Sequence, residues 1–206
     1  MNRKVLLVVA SKGYHPKEYG ETRYELEQQG FDVLVASDAA GVATIMPGGA
    51  RAGLPRYVAL AEQYPAYAQC SVDYVLSEVD VTSFAGVFLI GGVGAMELLD
   101  TTQMHKILQQ CVQQNKAIGA ICISPRILAR AGVITGKHAT GWNNDSALES
   151  VFAKYGVVLQ PELVVVDGLV VTANGPMAAQ GFGKAIVSLL SSMGTLESLQ
   201  KSCCAH

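Results

Sequence analysis

The sequence predicts an α/β protein: a mostly parallel sheet covered by helices on both faces, with a small β-hairpin. Three observations predict it. Short apolar runs recur along the chain, at Lys4–Ala10, Phe31–Ala36, Phe84–Ile90 and Ala117–Ile121, and read as strands buried on both faces. Segments with helical spacing separate them, which parallel strands require of their connections. Near the end, Val164-Val165-Val166-Asp167-Gly168-Leu169-Val170-Val171 reads as two strands joined by an Asp-Gly turn.

Each element has its own local reason. Lys17–Gln29 places Tyr19, Thr22 and Leu26 on one helical face and stops at Gly30. Ser37 to about Val81 reads as a long irregular stretch with a short helix over Arg56–Gln63. Its length and its tyrosines, Tyr57, Tyr64 and Tyr67, suit an oligomer contact or a lid. Thr102–Gln113 is amphipathic, with Met104, Ile107, Leu108, Cys111 and Val112 in register. Asp145–Tyr155 aligns Leu148, Val151, Phe152 and Tyr155, and Asn174-Gly175-Pro176 turns into a last helix carrying Phe182, Ala185, Ile186, Leu189 and Leu190. With no internal repeat or low-complexity linker, residues 1–206 read as a single domain with about 197–206 as a flexible tail.

Composition narrows the function classes. Half of the 206 residues are apolar and 16% are charged, enough for one sizeable core. A net charge of −2 gives no footprint for nucleic acid or an acidic membrane. The apolar run after Met1-Asn2-Arg3-Lys4 is too short for a signal peptide and reads as the first strand. Five scattered cysteines, an odd number, suit reduced thiols in a cytoplasm. Cys203-Cys204-Ala205-His206 reads as a frayed terminus rather than a metal or lipid site.

Cys122 is the most informative residue. The strand Ala117–Ile121 ends on it, and Ser124-Pro125-Arg126-Ile127-Leu128 starts a helix at once. This is the setting of a nucleophile elbow, without the usual flanking glycines. The helix start favours thiolate. The same residues also fit a buried cysteine that closes a core strand. Gly91-Gly92-Val93-Gly94-Ala95 follows another strand; Glu97 stands where a dinucleotide loop needs its last glycine, so a nucleotide site is not expected. In an open sheet these strand ends meet. The backbone N–H groups of Gly92 and Ile123 would then form an oxyanion hole beside Cys122, although glycine is also the default residue of a left-handed turn. Glu18, near the start of the first helix, would approach the same point. Ionised it would oppose a thiolate, and protonated it would donate to one, so its effect depends on burial.

Glu18 with Gly30, the Gly91-Gly92 turn, Ala120-Ile121-Cys122-Ile123-Ser124-Pro125 and the ending Asp167-Gly168-Leu169-Val170-Val171-Thr172-Ala173-Asn174-Gly175-Pro176 together resemble the ThiJ/PfpI superfamily across nearly the whole chain. The resemblance implies a flavodoxin-like sandwich, a homodimer or higher homo-oligomer, and a reactive cysteine at Cys122 partnered by Glu18. Two departures matter. Peptidase-like members carry His directly after the cysteine, where this chain has Ile123. Other members carry His where this chain has Gly141, with Trp142 beside it. His138, a few residues earlier, and His15, on the loop leading to Glu18, are the substitutes the sequence offers. Cys122-Ile123-Ser124-Pro125 is also similar to a glyoxalase-like branch that lacks the histidine.

The resulting expectation is a cytoplasmic, cofactor-free and metal-free thiol enzyme of the glyoxalase, deglycase or hydratase type. Its partner is a small-molecule substrate such as methylglyoxal, attacked by Cys122 while Glu18 moves the proton. His15, His138, Trp142 and the long second loop would line the pocket. A redox-responsive stress protein oxidised at Cys122, a PfpI-type peptidase or amidase, and a binding protein with a vestigial site are the alternatives.

Overall fold

The computed structural model describes residues 2–48 and 54–203, with side chains through residue 195. In chain order the strands are β1 (Lys4–Val8), β2 (Asp32–Ser37), β3 (Val42–Thr44), β4 (Gln69–Ser71), β5 (Tyr74–Val75), β6 (Gly86–Leu89), β7 (Ala117–Ile121), β8 (His138–Ala139), β9 (Val158–Leu159), β10 (Val164–Asp167) and β11 (Val170–Ala173). The helices are α1 (Pro16–Gln28), α2 (Pro55–Gln63), α3 (Ala95–Leu98), α4 (Thr102–Gln113), α5 (Pro125–Arg130), α6 (Ala147–Lys154) and α7 (Ala179–Cys203).

A seven-stranded sheet in the order β10-β11-β7-β6-β1-β2-β5 forms the middle layer. Every pairing is parallel except β10 with β11, the expected hairpin. Side chains alternate across β1 as the pleat requires. Val5, Leu7 and Val9 join one core with Leu26 of α1 and Phe182 and Ile186 of α7. Leu6, Val8 and Ala10 join the other with Ile107 and Leu108 of α4, Ile127 and Leu128 of α5 and Phe152 of α6. Both faces are therefore dry, and the central strands read as continuous apolar runs for that reason. The chain leaves β1 toward β2 and β5 on one side, then returns to β6 on the other. That reversal puts the topological switch point between β1 and β6, where open α/β sheets leave a crevice at their carboxyl edge.

The segment from 37 to 81 is more ordered than its sequence suggests. It holds β3 and β4 as an antiparallel pair, α2, and the edge strand β5. The pair is invisible to periodicity because each strand has three residues, with only Ala43 and Cys70 turned inward. Its tyrosines do not form an exposed patch. Tyr57 is buried, and Tyr67 packs edge-on against Tyr19 of α1. The segment folds back on its own domain at these points. At the other end, α7 runs helically to Cys203, through most of the span read as a tail, while residues 204–206 lie outside the described residues. Among the described residues no helix is long and apolar enough to cross a membrane.

Candidate active site

Four carboxyl-edge segments meet at Cys122: the loop from β1 into α1, the turn after β6, the elbow after β7, and the loop 140–146. Cys122 is one of three described non-glycine residues with positive φ, at +64°. That conformation costs a side-chain-bearing residue about 1–3 kcal/mol, so its neighbours must hold it. Its N–H donates to the Ala173 carbonyl at 2.9 Å, extending the β7–β11 ladder by one bond, and its carbonyl accepts the Trp142 N–H at 2.7 Å. Beneath it the Ser124 hydroxyl donates to the Ile90 carbonyl at 2.9 Å, tying the elbow to the end of β6.

The neighbouring turn admits only glycine at its first position. A Cβ on Gly91 would stand 2.5 Å from Cys122 Cβ, 2.7 Å from Glu18 Oε2 and 2.8 Å from the Ile121 carbonyl oxygen. Gly92 follows with φ +117°, a conformation side chains avoid. This close approach brings the backbone N–H groups of Gly92 and Ile123 near the Cys122 sulfur, where both favour its thiolate.

Glu18 is fully buried in the first turn of α1. Its Oε2 accepts the Gly91 N–H at 3.0 Å, and its carboxyl is also hydrogen-bonded with the Cys122 thiol. Its Oε1 has no protein partner. Burial pushes this carboxyl up to about 8, against the downward pull of the bonds with Cys122 and Gly91. Glu18 therefore keeps its proton at neutral pH, which decides between the two effects open at the sequence level.

Burial also pushes the Cys122 thiol well above its ordinary range, and an ionised Glu18 adds to that push, while the Ile123 and Gly92 N–H groups oppose it. The thiolate preference expected from the helix start is outweighed, because α5 is only six residues long and the sulfur is largely desolvated. The push from Glu18 operates only while that group is charged. Below about pH 8 its O–H is a donor toward sulfur, while the thiol keeps its own proton.

The histidines separate. His15 is the residue before α1; its N–H donates to the Gly91 carbonyl at 3.0 Å, so its backbone borders the site. Its Nδ1 is buried without a partner. Burial, helped by the nearby Lys17, lowers it to about 4, so the ring is neutral. His138 is not a pocket residue. Its N–H donates to Asp167 Oδ2 at 2.9 Å, beside the hairpin turn. Because Val170 pairs with Ile118 and Ala173 with Ile121, that turn lies at the opposite edge of the sheet from Cys122. The expectation failed because four residues of sequence separation from Trp142 span β8 and the whole length of that edge. Trp142 is placed beside the elbow through its backbone bond to Cys122.

Arg126 and Asp145 escaped sequence reading. Arg126 is 5% exposed yet charged, and it pairs with Asp145, Nη1 to Oδ2 at 2.9 Å and Nη2 to Oδ1 at 2.6 Å. No local signal links residues nineteen apart on a short helix and a loop. A cleft of about 420 Å³ opens along the loop 140–146, lined by Thr140, Gly141, Asn143 and Asn174 among others. Among the described residues no cluster of three or more His, Cys, Asp or Glu is placed to hold a metal.

A thiol on a strained turn, beside a protonated carboxyl and two inward N–H groups, defines a flavodoxin-like domain with a carboxyl-edge cysteine site. The DJ-1/PfpI family model matches residues 3–189, and the chain belongs to that family. An uncharacterised protein of Methanocaldococcus jannaschii is 30% identical over 190 residues, covering 92% of this chain and 83% of its own length. A deglycase of Pyrococcus abyssi is 25% identical, covering 90% and 98%. A glutathione-independent glyoxalase of Caenorhabditis elegans is 26% identical, covering 64% and 69%. Among solved structures, a ThiJ/PfpI domain protein of Brachyspira murdochii superposes with a TM-score of 0.77 at 27% identity, covering 93% of this chain and 98% of that one.

Burial separates the described thiols. Cys111 is fully buried and pushed up to about 12 by that burial, and Cys70 is 9% exposed, whereas Cys122 is partly open. Brief treatment with limiting iodoacetamide, read by mass spectrometry, is expected to label Cys122 before Cys70 and Cys111. A form truncated before Cys203 removes labelling at the terminus. Preferential labelling of Cys70 or Cys111 would contradict the accessibility described above.

Proposed function

We propose that the protein is a thiol-dependent enzyme acting on small reactive carbonyls such as methylglyoxal, in the glyoxalase or deglycase manner. The observation that carries this reading is the Cys122 sulfur held by the N–H groups of Gly92 and Ile123 and by a Glu18 carboxyl that stays protonated near neutral pH. Relatives named deglycase and glyoxalase support it.

In this reading the Cys122 thiol releases its proton to solvent and the resulting thiolate adds to the aldehyde carbon. A C–S bond forms, the carbonyl π pair moves to oxygen, and Glu18 gives that oxygen its proton. Gly92 and Ile123 donate to the developing negative charge. The Glu18 carboxylate then removes the hydrogen on the former aldehyde carbon as a proton and returns it to the adjacent carbon, while the hydroxyl proton on the first oxygen passes to the neighbouring oxygen, leaving a 2-hydroxy thioester. Water releases a 2-hydroxy acid and restores the thiol. Water is the only co-reactant, and no external electron acceptor is needed.

NMR of methylglyoxal incubated with the protein is expected to show saturable conversion to lactate, lost after alkylation of Cys122. No turnover, with sulfinate forming at Cys122 under mild peroxide, would replace this reading with redox sensing. Two observations count against the peptidase reading: Ile123 follows the cysteine, and His138 lies at the far edge. Casein hydrolysis is expected to stay at the level of the alkylated protein.

Assembly as at least a homodimer is part of the proposal. Tyr24 on α1 and Val42 on β3, 52% and 59% exposed, support it. Light scattering at micromolar concentration is expected to give at least twice 21.7 kDa. A particle of 21.7 kDa would leave the segment 37–81 as cover for its own domain alone.

A further inference from the structure

Arg126 is a costly residue where it stands. It is 5% exposed, and its Nε is buried with no partner. A buried guanidinium with an unsatisfied donor is worse for stability than a well-packed apolar side chain. Its other contacts all lead to one place. Besides the two bonds to Asp145, Nη2 donates to the Trp142 carbonyl at 3.0 Å. The guanidinium carbon also lies 5.6 Å from the centre of a Trp142 ring. Both backbone polar groups of Trp142 are thereby used: its carbonyl is held by Arg126, and its N–H holds the Cys122 carbonyl at 2.7 Å. Arg126 is itself four residues past Cys122, on the helix that leaves the elbow. The chain closes a ring: elbow, α5, guanidinium, Trp142 peptide, elbow.

We propose that Arg126 is a positioning residue for Cys122: locked by Asp145 and set over the Trp142 ring, it holds the Trp142 backbone, which holds the elbow in the left-handed conformation that keeps the sulfur beside Glu18, Gly92 and Ile123. The inference rests on the reading of Cys122 as the reacting group. It differs from a plain staple between α5 and the loop 140–146, which would affect stability and leave the chemistry of the sulfur alone.

The discriminating quantity is the coupling between Glu18 and Cys122, read without any substrate. Iodoacetamide alkylation of Cys122 is followed by mass spectrometry across pH 6–9, in proteins with and without Glu18→Gln. The only tryptophan in the chain is Trp142, so intrinsic emission reports the clamp directly. In the native background Glu18→Gln is expected to raise the alkylation rate at pH 9, where the native carboxyl is ionised and opposes the thiolate, by about tenfold relative to its effect at pH 6. With Arg126→Met that change is expected to shrink to less than about twofold, together with a shift in emission, and Arg126→Lys is expected to recover part of it. Asp145→Asn serves where Arg126→Met does not fold. Its side chain is 39% exposed, and its amide oxygen can still accept the Ala147 N–H. Circular dichroism confirms the fold of each variant.

An undiminished Glu18 effect in folded Arg126→Met or Asp145→Asn overturns the proposal, as does a Glu18→Gln change of nothing in the native background. Absence of methylglyoxal turnover, by contrast, removes the functional reading and leaves this measurement standing on its own.

Discussion

Cys122→Ser is expected to lower methylglyoxal turnover by at least about a thousandfold while leaving the melting temperature nearly unchanged. The substitution is close to isosteric, and a serine hydroxyl can still meet the Gly92 and Ile123 N–H groups. What it loses is ionisation. A hydroxyl nucleophile needs a general base, and Ile123 stands directly after the nucleophile while His138 sits with Asp167 at the other edge of the sheet. Glu18 does not serve in the resting state, because burial keeps it protonated up to about pH 8. For the same reason the native profile is expected to be bell-shaped. The acid limb rises near 8, as the Glu18–Cys122 pair loses the first of its two protons, and the alkaline limb lies above it, as the pair loses the second and the carboxylate repels the sulfur. Initial rates between pH 5 and 10 test both points. Turnover by Cys122→Ser within tenfold of the native protein would remove Cys122 as nucleophile. An alkaline limb absent in the native protein would remove Glu18 as the acid.

Much of this site was readable as sequence because its parts sit on strong local signals. Cys122 ends an apolar strand and precedes a proline-started helix, and the Gly91-Gly92 turn ends another strand. Parallel strands put both at one edge, where the N–H groups of Gly92 and Ile123 do meet the sulfur. Glu18 followed from its place in the first turn after β1, but its protonation could not, since that depends on complete burial in the folded chain, against Gly91 and Cys122 from other segments. Trp142 came out near the elbow and His138 did not, although only three residues lie between them. Position relative to a sheet edge is set by strand pairing, and β8 pairs with β9 over two residues, too few to leave a period. The β3–β4 pair was missed for the same reason. Arg126 was missed because an arginine on a short helix is ordinarily solvated; only the long-range bonds to Asp145 and Trp142 show otherwise.

Glu18→Gln is expected to stabilise the fold at neutral pH by about 3 kcal/mol, a shift of roughly 5–10 °C in melting temperature for a domain of this size. The carboxyl titrates near its ordinary value of 4.5 in the unfolded chain and at about 8 in the native one. Between those values the native state holds a proton that the unfolded state has released. Native stability therefore falls as pH rises from about 4.5, reaches its floor near 8, and is flat beyond. Glutamine removes this term. Its amide oxygen can accept the Gly91 N–H that Oε2 accepts now at 3.0 Å, and its NH2 can donate toward the sulfur in place of the carboxyl O–H. The difference in melting temperature between variant and native protein should thus be near zero at pH 4.5 and grow through pH 8. A constant difference across that range would mean that Glu18 is ionised in the folded protein. The same variant keeps a donor beside Cys122 but cannot pass a proton on, so it should be the more stable protein and the poorer catalyst. That pairing is what a carboxyl retained for proton transfer at a buried thiol predicts, and a carboxyl retained for packing would give neither half of it.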